Sequence, residues 1–485
     1  MDRIIDEIVK VSVKDAIASA TVTGLNTAAV VGVTDKDGAK TQVAYDQEEV
    51  ETAYETGEKR VIFIEPTLSG TLASGDVELE CSGNVELECS GNVVATAKIK
   101  TGNNASTVRT LVKALASDFN SGKAGKGVPG YKAVASATRL TITSDAYGAT
   151  AAEDGVFSID YNGTGFSGSP NNTDGVEGAD IVKVTKAFFQ EEANPGKLVC
   201  IPVAADPSGS DIADILDEAL EMGKDDNHRD IDFYNVIIRL GSGATSASVV
   251  SLAVALDEWC GENFRFGHID VQDRAVAEDA IAALVDYNIN RVAIYFHLEE
   301  SGKVCGAAIV ADRCGNDPAK GTWALKTLDS LVADPTTKAN FKDAKSLGLN
   351  IYAKVSGVDC LYFGTVCAPD KFIDSVMKKD WMKFNAQAAI FDALRKGNNG
   401  SGITYDDAGI QDVVTALTSV GTKAADKDHQ YIMDDVEHEF KVEAPKYKDI
   451  PKEDRKVRNL PMVKMRFSIM DFIHTVKTVE LQVVE

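Results

Sequence analysis

The strongest constraint on the fold is a strict alternation of short apolar runs and amphipathic stretches between Leu198 and His297. Leu198–Val203 reads LVCIPV, and after it Ile212, Ile215, Leu216, Ala219 and Leu220 recur at helical spacing. The strand-like run Phe233–Leu240 precedes a helical stretch, Ala247–Glu262. Phe266–Val271 precedes a second, Val276–Tyr287, and Arg291–His297 closes the series. Strands that alternate with helices in this rhythm build an α/β sheet with helices on its faces.

The flanks of that core have different textures. Downstream, Leu349–Leu361 alternates like a hairpin, with Tyr352, Lys354, Cys360 and Tyr362 around a turn Ser356-Gly357-Val358-Asp359. From Phe372 to Leu394, Ile373, Val376, Met377, Trp381, Phe384, Ala388, Phe391 and Leu394 form one helical stripe. A shorter helix follows, with Ile410, Val413, Val414 and Leu417 on one side and Asp406, Asp407 and Asp412 elsewhere. Upstream, residues 68–180 are rich in Gly, Ser, Thr, Ala and Asn and contain VELECSGN twice in succession, at Val77–Asn84 and Val85–Asn92. Each copy turns Val, Leu and Cys one way and two glutamates the other, and Ser-Gly-Asn supplies a turn. A helix carrying Val108, Leu111, Val112, Leu115 and Phe119, then strands Tyr131–Ser136 and Arg139–Ser144, complete a small β-rich α+β insert. The expected divisions are an N-terminal arm 1–20, core residues 21–67 and 181–462, the insert 68–180, and a C-terminal β arm 463–485. Alternation of Val9, Val11 and Val13 at one end, and of Val479, Leu481 and Val483 at the other, marks the two arms as strands.

Composition excludes several classes. With 485 residues, 44% hydrophobic and 26% charged, the chain has the make-up of a folded globular protein. A net charge of −24 argues against a surface that neutralises nucleic-acid phosphates. The basic run Lys446–Arg458 is interrupted by Asp449, Glu453 and Asp454 and reads as a solvated segment. The charged start MDRIIDEIVK is no secretory signal, and no apolar run is long enough to span a membrane. Eight cysteines without a C-x-x-C pair read as buried thiols.

A search for chemistry finds no catalytic set. Gly241-Ser242-Gly243 lies at a strand-to-helix turn, but Ser246 stands where a dinucleotide turn needs its third glycine, and Asp270 lies too far along to bind a ribose. No G-x-x-x-x-G-K-[ST] loop or G-x-S-x-G elbow is present. His228-Arg229-Asp230 reads as a polar connector. His268 and Asp270 share one side of a strand as a structural pair. His429 and His438 flank Asp434, Asp435 and Glu437 as a solvated acidic cluster or a weak hard-cation site. No catalytic residue, cofactor or metal ligand is assigned.

The order of motifs resembles another class. Ile351-Tyr352-Ala353, Leu361-Tyr362-Phe363-Gly364, Phe372-Ile373-Asp374, Lys379-Asp380-Trp381-Met382 and Ile403-Thr404-Tyr405-Asp406-Asp407-Ala408-Gly409 follow one another. Asp232–Val236 and Arg291–His297 precede them, and Ser468–His474 follows. Together they resemble contractile tail sheath proteins of Mu-like myophages. The resemblance implies an α/β sheath core, a mixed sheet with flanking helices, that carries an outward-facing insert and extended strand arms. It implies a structural subunit and no enzyme. Copies would polymerise helically around a tail tube and contract to drive it through a cell envelope. Implied partners are further copies of the chain, a tube protein, and baseplate and tail terminator proteins, without nucleic acid or membrane insertion. Assembly would take place in the host bacterial cytoplasm and the product would be the virion tail. The inter-subunit strands would be Val9, Val11, Val13, Val479, Leu481 and Val483; the tube-facing candidates are Asp406, Asp407 and Asp412. A tailocin or a non-phage contractile injection system fits the same resemblance. A nucleotide-binding α/β enzyme is the alternative from the core pattern alone.

Overall fold

The computed structural model describes residues 24–474, apart from 35, 37, 55–58, 69–74, 83–91, 100–107, 124–125, 127, 129–130, 137, 148–155, 163, 165, 174–179, 242, 298–304, 356, 399 and 401. Two compact units result: residues 1–54 with 180–485, and residues 55–179.

The larger unit is built on an eight-stranded mixed sheet. Its order is Val358–Tyr362, Asn350–Val355, Val292–Phe296, Phe266–Val271, Asn235–Arg239, Ala28–Val33, Leu198–Val203 and Gln42–Ala44. The six inner strands run parallel, and both outermost strands are antiparallel to their neighbours. Parallel pairing requires helical crossovers, so both faces are covered and the inner strands are largely apolar, with His268 and Asp270 the buried exceptions in Phe266–Val271. Helices Ile212–Met222, Ser246–Asn263, Arg274–Leu284 and Lys338–Leu347 form one layer, and Asp180–Gln190 and Cys305–Gly315 lie on the opposite face. The alternation read from sequence between Leu198 and His297 is this sheet. The strand Ala28–Val33, third from one edge, stands outside that series, although AAVVGV is the continuous apolar run that a doubly covered strand requires.

The long helix runs Ile373–Asn398 and crosses the amino ends of three neighbouring strands. Tyr234, Arg265 and Arg291 each immediately precede one of those strands. Arg291 donates from both terminal nitrogens to the two oxygens of Asp380, each at 2.7 Å, and the Tyr234 hydroxyl donates to Asp380 Oδ2 at 2.6 Å. Lys383 places its ammonium 3.0 Å from the centroid of Phe264. The expected apolar stripe is therefore only part of the contact surface. Ile373 and Met377 are buried, but so are Asp374, Lys378, Asp380, Lys383 and Gln387, whereas Ala388 is exposed. Periodicity could not reveal this, because charged residues go inward only where partners from distant segments meet them.

The C-terminal segment folds back on this helix. Lys378, paired with Asp374 at 2.6 Å, also donates to the Met470 carbonyl at 2.7 Å and lies 4.5 Å from the Phe472 ring centroid. Lys464–Arg466 pairs with Lys441–Glu443, and Ser468–Ile469 with Ile432–Met433, in two antiparallel ribbons. The C-terminal arm drawn as 463–485 is thus internal up to His474, and residues 475–485 lie outside the described set. Helix Asp407–Ala425 packs along the long helix through Ile410, Val413 and Leu417. Gly421 lies under Phe440, where a Cβ would come within 2.1 Å of the ring.

The smaller unit begins earlier than residue 68. Strand Lys59–Ile64, assigned to the core from sequence, pairs instead with Leu140–Tyr147 and Asn171–Thr173, which moves the boundary to Tyr54 and Glu55. A second sheet has the order Asn92–Ile99, Gly75–Ser82, Val156–Asp160. The first VELECSGN copy is thus a central strand rather than a hairpin, with Val77 and Leu79 buried; most of the second copy lies outside the described residues. Helix Val108–Phe119 packs Leu111, Leu115 and Phe119 into the same apolar cluster as Ile62, Ile142 and Phe157. The loops at its end also seal strand edges. Asn120 bonds both the N–H and the carbonyl of Ala133, and Asp118 accepts from the Thr96 N–H.

Two outcomes follow from this packing. Asp380→Ala leaves Arg291 buried without its counter-charge and should cost about 3–5 kcal/mol in chemical denaturation. The double change Arg291→Met with Asp380→Leu should lose much less, and Asp392→Ala on the exposed end of the helix should leave the midpoint unchanged. A loss for Asp380→Ala no larger than for Asp392→Ala would contradict the clamp. Replacing residues 55–179 with a Gly-Ser linker should leave the larger unit cooperatively folded by near-UV circular dichroism, because the insert has its own core. Loss of cooperative unfolding would show that the core is shared.

Candidate functional site

Ligands of open α/β sheets bind outside the carboxyl ends of the strands, where the strand order reverses. Here the order reverses between Ala28–Val33 and Asn235–Arg239. That place is filled by protein. Gly32 abuts helix Asp180–Gln190 so closely that a Cβ would lie 2.7 Å from the Ile181 Cα, and Arg239 is ion-paired with Asp180. The glycine turn after the strand directs the Gly241 N–H to Asp206 Oδ2 at 2.8 Å. A phosphate there would meet a carboxylate. The following helix satisfies its own start through a capping box, with Thr245 Oγ1 accepting from the Ser248 N–H and Ser248 Oγ from the Thr245 N–H. This turn leads into a helix that caps itself, and it has the wrong charge for a nucleotide.

His268 and Asp270 do not bond each other. His268 lies between the Tyr295 hydroxyl (3.0 Å) and Asn235 Oδ1 (3.1 Å), stacked on Trp323. Burial lowers its pKa to about 3, so the ring stays neutral. Both Asp270 oxygens lie near the Gly306 N–H, at 2.9 and 3.0 Å, in the first turn of helix Cys305–Gly315. Burial raises the Asp270 pKa to about 7 against the pull of that N–H and of Arg239. Arg229 bonds Glu49 at 2.6 and 2.9 Å and the Val43 carbonyl, which makes His228-Arg229-Asp230 a connector that holds an edge strand. His429 pairs with Asp426 and His438 with Asp435, and no metal-binding cluster occurs among the described residues. Cys200, Cys260, Cys305, Cys314, Cys360 and Cys367 are buried and in no disulfide.

The three acidic candidates on the second helix separate in role. Asp406 is its N-cap and accepts from the Gly409 N–H at 2.9 Å and Thr404 Oγ1 at 2.8 Å; those two bonds hold its pKa below the usual carboxylate range. Asp407 accepts from the Tyr447 N–H at 2.7 Å and ties the helix to the C-terminal segment. Asp412 is exposed. Val9, Val11, Val13, Val479, Leu481 and Val483 lie outside the described residues.

The sheet edges and the chain exits complete the picture. At one edge Val43 gives its N–H to Asp225 and its carbonyl to Arg229; at the other, Leu361 exchanges both backbone bonds with Leu325 and Lys326. The two-stranded ribbon Lys441–Glu443/Lys464–Arg466 has no further strand on either side among the described residues. The first and last described segments are linked by one run of contacts. The Leu25 carbonyl accepts from Asn235, Asn235 bonds His268, His268 stacks on Trp323, and Thr322 bonds His474 at 2.8 Å. No helix among the described residues is long and apolar enough to cross a membrane.

No family model matches the chain, and no curated protein matches it. Among solved structures 13 chains match. One is the sheath complex of an extracellular contractile injection system, PVC, in its contracted state, with a TM-score of 0.46 and 11% identity over 63% of this chain and 81% of that one. Similarity this distant leaves function to be argued from the chain's own residues.

The two buried groups of the strand Phe266–Val271 predict opposite pH effects. Native Asp270 keeps a proton that the unfolded chain releases above about pH 4, so its contribution is present below that pH and is lost as pH rises toward 7. Native His268 refuses a proton that the unfolded chain takes up below about pH 6.5, so stability falls as pH drops from there toward 3. Asp270→Asn should therefore gain relative to the parent between pH 4 and 7, by up to about 1.4 kcal/mol per pH unit. His268→Gln should flatten the acid limb. Parallel stability–pH profiles for parent and variants would contradict these assignments.

Proposed function

We infer that this chain is a subunit of a contractile sheath: a structural protein that polymerises helically around a tail tube, anchored at a baseplate, and shortens to drive the tube through an envelope. The observation that carries the reading is the contrast between sealed and open backbone. At both edges of the eight-stranded sheet the chain itself takes outward backbone groups, those of Val43 and Leu361, whereas the ribbon Lys441–Glu443/Lys464–Arg466 is only two strands wide among the described residues. An isolated pair of strands is marginal, and further strands complete it through main-chain bonds and alternating side chains. The alternating segments around Val9, Val11 and Val13 and around Val479, Leu481 and Val483 have the pattern of such strands. The run of contacts from Leu25 to His474 joins the starting points of both segments within one subunit. Strands donated to neighbours in a head-to-tail contact that does not close generate a helical polymer. Tethers of this kind hold neighbours together while the bodies rotate between an extended and a shortened state, so contraction needs no bound nucleotide. The electrostatics of the Gly241 turn accord with a structural role. Asp412 remains the tube-facing candidate of the three, since Asp406 and Asp407 are engaged locally.

Removing residues 1–14 or residues 475–485 should leave a folded monomer that no longer sediments as polymer, with an unchanged thermal transition. Long polymers formed by either truncated chain would contradict donated strands. A truncated chain that unfolds would show that the segments pair within their own subunit.

A further inference from the structure

The chain has a large acidic excess and yet leaves one basic surface unneutralised. Between Lys446 and Lys464 there are seven cations and three acids. Lys446, Lys448, Lys452, Lys456, Arg458 and Lys464 are all exposed, and among the described residues none of the six pairs with a carboxylate. Val457 and Met462, 71% and 60% exposed, lie among them. A surface with both charge and exposed apolar side chains suits a contact better than plain solvation.

The complementary surface belongs to the same unit. Helices Ile212–Met222 and Ser246–Asn263 pack side by side and contain no Lys or Arg. Asp214, Glu218, Glu221, Glu258 and Glu262 are exposed on them, and among the described residues none forms an ion pair. Both helices anchor to the sheet through Ile212, Leu216, Val249, Leu252 and Leu256, so the acids are presented on a rigid layer. A nucleic acid would meet repulsion from a chain of net charge −24. A second copy of the chain brings the missing carboxylates.

We propose that the cationic surface Lys446–Lys464 of one copy docks on the acidic helical layer Ile212–Asn263 of a second copy. The contact joins two different surfaces, so it propagates from copy to copy. It rests on the self-assembly part of the reading above and not on the tube or on contraction. Opposed charges steer approach and reject wrong registers, while the apolar side chains between them add contact area.

Charge exchange in the full chain tests this. One variant carries Lys446→Glu, Lys448→Glu, Lys452→Glu and Lys456→Glu; the other carries Glu218→Lys, Glu221→Lys and Glu258→Lys. All seven positions are exposed, and circular dichroism confirms that each variant is folded. Each variant alone should lose the sedimenting fraction that the parent forms in low salt. Mixed one to one, they should recover it, because each then meets its opposite sign. Parental association should also fall as salt rises to 1 M, where screening acts over about 3 Å. The proposal is overturned if the parent does not associate, if either variant associates like the parent, or if the mixture fails to recover. Recovered assemblies that are not tubular would instead count against the sheath reading alone.

Discussion

The bidentate pair between Arg291 and Asp380 is the contact on which the rest of the larger unit depends. It fixes the long helix across the amino ends of three strands, and the Tyr234 hydroxyl donates a further bond to Asp380 Oδ2. Burial, and then the Asp380 charge, push the Tyr234 pKa well above its ordinary value, which keeps it a donor. Once the helix is placed, helix Asp407–Ala425 has a surface to pack on and Lys378 can hold the Met470 carbonyl. The C-terminal ribbons therefore depend on one buried ion pair more than on their own few strand bonds. Such a pair contributes little net stability against an apolar replacement, but it tolerates one register only. The C-terminal segment that folds back on this helix carries the cationic surface proposed for association.

Strand bonding is unevenly distributed over the molecule. In the eight-stranded sheet the chain itself engages backbone groups at both edges, Val43 through Asp225 and Arg229 and Leu361 through Leu325 and Lys326. Exposed edges are a liability for uncontrolled aggregation, and closing them confines association to chosen places. The C-terminal part is the opposite case, with short ribbons, exposed cations and Ile473 at 84% exposure. The proposed function asks for a rigid body and a periphery that bonds to neighbours, and this division of the chain suits both.

The inner strands from Leu198 onward are legible in the sequence because doubly covered strands are mostly apolar and their helices are one-sided. Ala28–Val33 carried the same signal but stood isolated, far from the repeating series, and without a following helix to frame it. The run Arg60–Glu65, stopped by Pro66, reads as a short strand but not as part of the insert, since the pairing of Lys59–Ile64 with Leu140–Tyr147 is a long-range fact. The inward face of the long helix was half legible: Ile373 and Met377 obey helical spacing, but Asp380 and Lys383 go inward because Arg291 and Phe264 await them. Asp406, three residues ahead of Gly409, has the residue type and position of a helix N-cap. The cationic stretch was read as solvated from its interspersed acids. Only the fold shows that the acids leave six of its cations unpaired.

The central claim is that copies of this chain build a tube from their own surfaces, and it is tested most directly by negative-stain electron microscopy of the purified full-length protein. The account predicts hollow, regularly striated cylinders formed by the protein alone. A uniform field of single particles, at concentrations and salt where neighbouring charges are unscreened, would contradict it.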